Sequence, residues 1–143
     1  MKNIKIGLIA GSFDLIHPGY ISMFREAREI CDYLIVALQD DPTIDRPHKL
    51  KPVQTWEERK EIIQSIRYVD HVLKYSTELE LLDLLKNENY HVRILGQDYI
   101  GKKYTGDFLN KEVYFCKRNH DYSLTNLKLK IYESMKLILD GKK

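Results

Sequence analysis

Apolar positions along this chain follow two rhythms that take turns. Residues 4–10 (IKIGLIA) and 33–38 (YLIVAL) are short, branched and nearly unbroken. That is the pattern of strands covered on both faces of a parallel sheet. Between them Ile21, Phe24, Ala27 and Cys31 return at helical spacing, with Arg25, Glu26 and Glu29 on the other side. Strand, helix and strand in this order predict a βαβ unit with a right-handed crossover. The alternation then continues. Thr55-Trp56-Glu57-Glu58 predicts a capping box ahead of Ile62, Ile63 and Ile66, and Thr77-Glu78-Leu79-Glu80 predicts a second one opening a Leu-rich helix through Leu85. Strands are expected at 70–73, 91–95 and 113–116. A last helix should carry Leu124, Leu127, Ile131, Met135 and Ile138 on one face. The expectation is one α/β domain over 1–143, a five-stranded parallel sheet with helices on both faces. Two long connections, 39–54 and 96–110, leave the carboxyl ends of strands, where open α/β sheets bind ligands.

Composition narrows the function classes. At 143 residues the chain fits one domain. Its 23 Lys and Arg against 21 Asp and Glu leave a net charge of +2, too little for a nucleic-acid footprint. Any anion must therefore be held by a local site. Cys31 and Cys116 form no Cys-x-x-Cys pair, so neither a metal knuckle nor a disulfide framework is expected. The basic start Met1–Lys5 leads into an apolar stretch that ends at Ala10, shorter than a secretory signal requires. No apolar run approaches the ~18 residues that suggest a membrane span. A soluble cytoplasmic protein without membrane insertion is the expectation.

The chemistry concentrates in GSFDLIHPGY, residues 11–20. Gly11 ends the first strand and permits a sharp turn. Pro18 suits the first position of a helix, and Gly19 lets a ligand approach the unpaired N–H donors there. His17 and Tyr20, three residues apart, share one face of that turn. The arrangement points to a phosphate-bearing ligand beside an imidazole. It is neither a Walker loop nor a Gly-x-Gly-x-x-Gly fingerprint.

This segment resembles the G-[ST]-F-D-x-x-H-x-G-H signature of the Rossmann-like nucleotidyltransferases, with the glycerol-3-phosphate cytidylyltransferase type as the nearest pattern. The likeness extends through residues 31–38, Glu58-Arg59-Lys60, Arg67-Tyr68-Val69-Asp70-His71-Val72, Leu95-Gly96-Gln97-Asp98-Tyr99 with Gly101-Lys102, and Arg118-Asn119…Ser123-Leu124-Thr125. Three departures stand out. Tyr20 occupies the place of the second histidine, Asn119 replaces a threonine with one residue added before Ser123, and 104–110 lengthens a loop.

The resemblance implies a Rossmann-like fold and transfer of a nucleotidyl group from CTP to a small phosphate-bearing acceptor, with release of pyrophosphate. It implies catalytic roles for His17, Lys49 and Arg118. Nucleotide contacts are implied for Gly11, Ser12, Phe13, Tyr20, Gly96, Asp98, Asn119 and Ser123, and supporting roles for Asp14, Asp41, Lys51, Arg67 and Asp70. Mg²⁺ would be held mainly by the nucleotide phosphates, with no protein metal site, and a homodimer is expected. An ATP-dependent adenylyltransferase on a sugar phosphate and a catalytically weak nucleotide-binding regulatory module stay open as alternatives. His48, His71 and His91 read as bystanders. His120 lies in a ligand loop without a family counterpart, and its role stays open.

Overall fold

The chain runs β1 (Ile6–Gly11), α1 (Pro18–Ile30), β2 (Tyr33–Gln39), α2 (Trp56–Gln64), β3 (His71–Tyr75), α3 (Glu78–Asn87), β4 (Val92–Gly96), β5 (Glu112–Cys116) and α4 (Leu124–Gly141) in a computed structural model that describes residues 3–141. The five strands form one sheet of order β3-β2-β1-β4-β5, every pair parallel. The winding reverses between β1 and β4. Such a switch point opens a crevice at the carboxyl ends of the strands, and ligands bind there.

Alternate strand residues serve opposite faces. Ile9, Leu34, Val36 and Leu38 pack with Phe24 and Ala27 of α1 and Ile63 of α2. Leu8, Ile35 and Ala37 pack with Leu81 and Leu85 of α3. Burying one such leucine or phenylalanine contributes ~1.5–3 kcal/mol, so both layers are held by the residues whose periodicity predicted them.

Local signals set the helix starts. Thr55 and Glu58 form the expected reciprocal box at α2. At α3 the Thr77 hydroxyl accepts from Glu80 N–H, but the Glu80 carboxylate accepts from Ser76 N–H, so this box is staggered by one residue. Helix α4 departs from expectation in its packing. None of its residues is fully buried, and Ile131, Met135 and Ile138 stand about half exposed. No helix of the described residues is long and apolar enough to cross a membrane.

Candidate active site

The corner between β1 and α1 is strained. Phe13 and Leu15 adopt φ of 45° and 51°, a region that costs a non-glycine residue on the order of 1–3 kcal/mol. Three sets of contacts hold it. The Phe13 ring is buried 5.3 Å from the rings of both Tyr20 and Phe24. Leu15 N–H donates to Gln54 Oε1 at 3.2 Å. The buried Asp14 carboxylate accepts from Val53 and Gln54 N–H at 2.7 and 3.0 Å and pairs with Lys128 of α4 at 3.3 Å. Asp14 thus ties the loop 40–54 to the motif.

This turn sets His17 as the N-cap of α1, its Nδ1 accepting from Gly19 N–H at 3.1 Å. Gly19 needs its missing side chain, although the neighbours are rings of the protein. A Cβ there would lie 2.7 Å from His120 Cε1 and 2.9 Å from His17 Cε1.

A first cavity of about 240 Å³ opens here, with His17, Tyr20, Asp98, Arg118, His120 and Ser123 in its wall. The Tyr20 ring stacks on His17 at 4.0 Å. Arg118 pairs with Asp98 at 3.4 Å and donates to Tyr122 O at 3.1 Å. Ser123 Oγ accepts from Asn126 N–H at the start of α4, which leaves its hydroxyl proton to donate. Burial, then the nearby His120 and Arg118, lower the His17 pKa below its ordinary value, so the ring is a neutral donor at pH 7. Cys116 also lines the cavity. Burial and the Glu26 carboxylate push its thiol up to about 12, so no thiolate nucleophile is present at neutral pH.

A second cavity of about 640 Å³ lies across a wall that both share, Met23 and Gly96. Gly11, Ser12, Phe13 and Lys49 line this second space, with Arg46 and Arg93. Arg93 is only 6% exposed and donates to Thr105 O at 2.9 Å. Arg46 pairs with Glu78 at 3.4 Å, and the Thr105 hydroxyl donates to the same carboxylate at 2.6 Å. The Nε atoms of Arg46 and Arg93 are buried and have no acceptor among the described residues. Sequence reasoning missed this set. An arginine inside the apolar run HVRIL was its one visible signal.

The remaining sequence-selected residues lie outside both walls. Lys51 reaches Asp41 at 3.8 Å. The Asp41 carboxylate is bound by the Thr43 hydroxyl at 2.6 Å and by Thr43 N–H, which hold it below the usual carboxylate range. Asn119 is exposed and lines neither cavity. Arg67 is exposed, and Asp70 pairs with Arg28 at 2.6 Å and accepts from Leu34 N–H at 2.8 Å. Asp70 precedes β3, at the end of the sheet opposite the crevice. A further organiser is Arg59, 1% exposed, whose guanidinium donates to the carbonyls of Ser12, Gln39, Asp40 and Gln54. It pins the ends of β1 and β2 beneath the second cavity. No cluster of three or more His, Cys, Asp or Glu side chains among the described residues is arranged to hold a metal.

The family model for cytidylyltransferase-like proteins matches residues 8–136, which include both walls. The chain belongs to the cytidylyltransferase-like family. It is 38% identical over 124 residues to glycerol-3-phosphate cytidylyltransferase of Staphylococcus aureus, an alignment covering 85% of this chain and 91% of that protein. It is 39% identical over 101 residues to the bifunctional protein HldE of Gluconacetobacter diazotrophicus, covering 68% of this chain and 20% of that longer protein. Among solved structures, the lipopolysaccharide core biosynthesis protein from Thermoplasma volcanium superposes with a TM-score of 0.62 at 18% identity, over 85% of this chain and 100% of that one. These likenesses agree with the strand order in assigning a Rossmann-like fold, and the chain is a nucleotidyltransferase.

Proposed function

We propose that the enzyme transfers the cytidylyl group of CTP to glycerol 3-phosphate or a similar small phosphorylated polyol and releases pyrophosphate. One observation carries this reading. The N-cap imidazole of α1 has its Nδ1 engaged by Gly19 and its Nε2 left as donor, in a cavity where Arg118 supplies positive charge. The nucleotide takes this first cavity, with Asp98 near the sugar or base and Ser123 at a phosphate. The acceptor enters the second cavity and meets the nucleotide over Gly96 and Met23, with Lys49 and the Gly11-Ser12-Phe13 turn reaching the triphosphate from that side.

An acceptor phosphate oxygen attacks the α-phosphorus in line. The bond from that phosphorus to the bridging oxygen of the β-phosphate breaks, and its electron pair leaves with pyrophosphate. No proton has to move, so no base or protein nucleophile is required. Catalysis is positioning and charge stabilisation. The neutral His17 and the high thiol pKa of Cys116 suit such a site. The described residues offer no all-protein metal cage, and Asp98 is the one carboxylate in the first wall, which fits a Mg²⁺ carried by the nucleotide phosphates. When bound, it would neutralise phosphate charge. We take the enzyme to be cytoplasmic and to pair as a symmetric dimer, the commonest oligomer. Light scattering that returned only a monomer would end the dimer reading.

The test is thermal shift with CTP, ATP, UTP and GTP, followed by pyrophosphate release with glycerol 3-phosphate. CTP should raise the melting temperature most, because binding to the folded state alone stabilises it, and turnover should require both substrates. An ATP preference would favour adenylyl transfer. Binding without turnover on any phosphorylated acceptor would favour a regulatory module.

A further inference from the structure

This inference rests on the reading of the first cavity as the nucleotide site. The strand–helix corner supplies a single imidazole, because Tyr20 stands three residues beyond His17. A second imidazole nevertheless reaches the same place from a distant part of the chain. His120, in the loop between β5 and α4, brings its Cε1 within 2.7 Å of the point where a Cβ on Gly19 would stand, and His17 Cε1 comes within 2.9 Å of that point. The two rings converge over the backbone of the first turn of α1, and both line the first cavity.

They are also prepared in the same way. His17 Nδ1 accepts from Gly19 N–H at 3.1 Å, and His120 Nδ1 accepts from Tyr122 N–H at 3.2 Å, each from the residue two places on. A neutral imidazole whose Nδ1 accepts carries its proton on Nε2. Each ring therefore has an Nε2–H donor that no described protein atom takes up. The Tyr122 ring contacts both, 5.7 Å from His120 and 6.1 Å from His17, and it lies nearly parallel to the latter. Arg118 completes a group of three positive or donating side chains, and Asp98, the neighbouring carboxylate, is already paired with it. Such a group suits an anion.

We propose that His120 is a catalytic residue of the nucleotidyl transfer, donating from Nε2 to a phosphate oxygen of the bound nucleotide beside His17, and so filling the place that Tyr20 leaves. As the acceptor oxygen bonds to the α-phosphorus and pyrophosphate departs with the electron pair of the broken bond, His120 keeps its proton. Its hydrogen bond strengthens as charge builds on the phosphate oxygens.

The experiment measures kcat and KM for CTP and glycerol 3-phosphate in the full chain. The variants are His17→Ala, His120→Ala, His120→Phe and the double variant Tyr20→His with His120→Ala. His120→Ala should lower kcat by on the order of tenfold or more, with KM for CTP changed by less than about threefold. His120→Phe retains a stacking ring and removes the donor, so it should lose as much and melt like the wild type. Tyr20→His should restore at least part of the rate lost in His120→Ala. A His120→Phe enzyme within twofold of wild-type kcat, a loss confined to KM, or no rescue by Tyr20→His would overturn the proposal. An inactive wild type, or an active His17→Ala variant, would instead sink the nucleotide-site reading and the role of His120 with it.

Discussion

The two cavities on either side of Met23 and Gly96 are built on opposite plans. In the first, the two imidazoles and Ser123 are set by their own neighbours, while Arg118 and Asp98 meet across 20 residues. His17, His120 and Ser123 each accept a backbone N–H from two or three residues further on. In the second, the groups are set by distant partners. Arg46 meets Glu78 across 32 residues, Thr105 meets the same carboxylate across 27, and Arg93 meets Thr105 across 12. Local capping fixes an imidazole wherever the short motif occurs. A long-range network exists only when loops of the right length meet, and loops are where related proteins diverge. The first plan suits chemistry common to many acceptors, whereas the second suits choosing among them.

Substitutions can separate the two plans. The largest effect should come from Arg59, which holds Ser12 and the end of β2 beneath the second cavity. Arg59→Met takes the guanidinium donor from one buried and three part-buried carbonyls, the buried one alone at ~1–3 kcal/mol. It should lower stability by ~3 kcal/mol or more, read as the loss of denaturant midpoint with an unchanged slope. His17→Ala comes next, with kcat reduced on the order of a hundredfold, since removal of a preorganised donor acts in the transition state, while the lost N-cap should cost only ~1 kcal/mol of stability. Wild-type-like turnover would show that the motif does no chemistry here.

Arg93→Met should act on one cavity only. KM for the phosphorylated acceptor should rise about tenfold, the ~1.4 kcal/mol worth of a hydrogen bond to a charged group. KM for CTP should stay as it is. Tyr20→Phe should be milder still, a loss of several-fold in kcat as one neutral donor disappears. Full activity would show the hydroxyl idle and the stacked ring sufficient.

The smallest effect is in pH. Burial, His120 and Arg118 hold His17 below its ordinary 6.5 in the folded state. As pH falls below 6.5 the unfolded chain takes up that proton first. The contribution of His17 is therefore fully present above 6.5 and is lost as pH drops toward the folded-state value. Melting temperatures from pH 7.5 to 5 should fall less steeply in His17→Gln than in the wild type.

The same division explains what could be read from the sequence. The sheet and helices were legible because unbroken apolar runs and period-3.6 patterns are local, and Thr55 with Glu58 marked the start of α2. Boundaries moved where polarity hid a strand: β3 continues through Lys74 and Tyr75, and β5 begins at Glu112. The apolar stripe of α4 was visible, but its exposure was not, because burial depends on what lies opposite. In the first cavity, His17 and Tyr20 came from motif spacing, and Asp98, Arg118 and Ser123 from the family resemblance. His120 did not, since no spacing shows that a residue a hundred positions away will meet Gly19. Arg46, Glu78 and Arg93 escaped notice for the same reason. Asp70 stood with Arg67 among the expected supporting residues, while the fold pairs it with Arg28.

The most direct measurement of the central claim, that nucleotide and acceptor occupy separate cavities, is a calorimetric titration of CTP into three forms of the protein. Arg118→Ala should weaken CTP binding about tenfold or more relative to the wild type, whereas Arg93→Met should bind CTP as the wild type does. CTP binding lost in Arg93→Met and kept in Arg118→Ala would place the nucleotide in the second cavity and contradict the account.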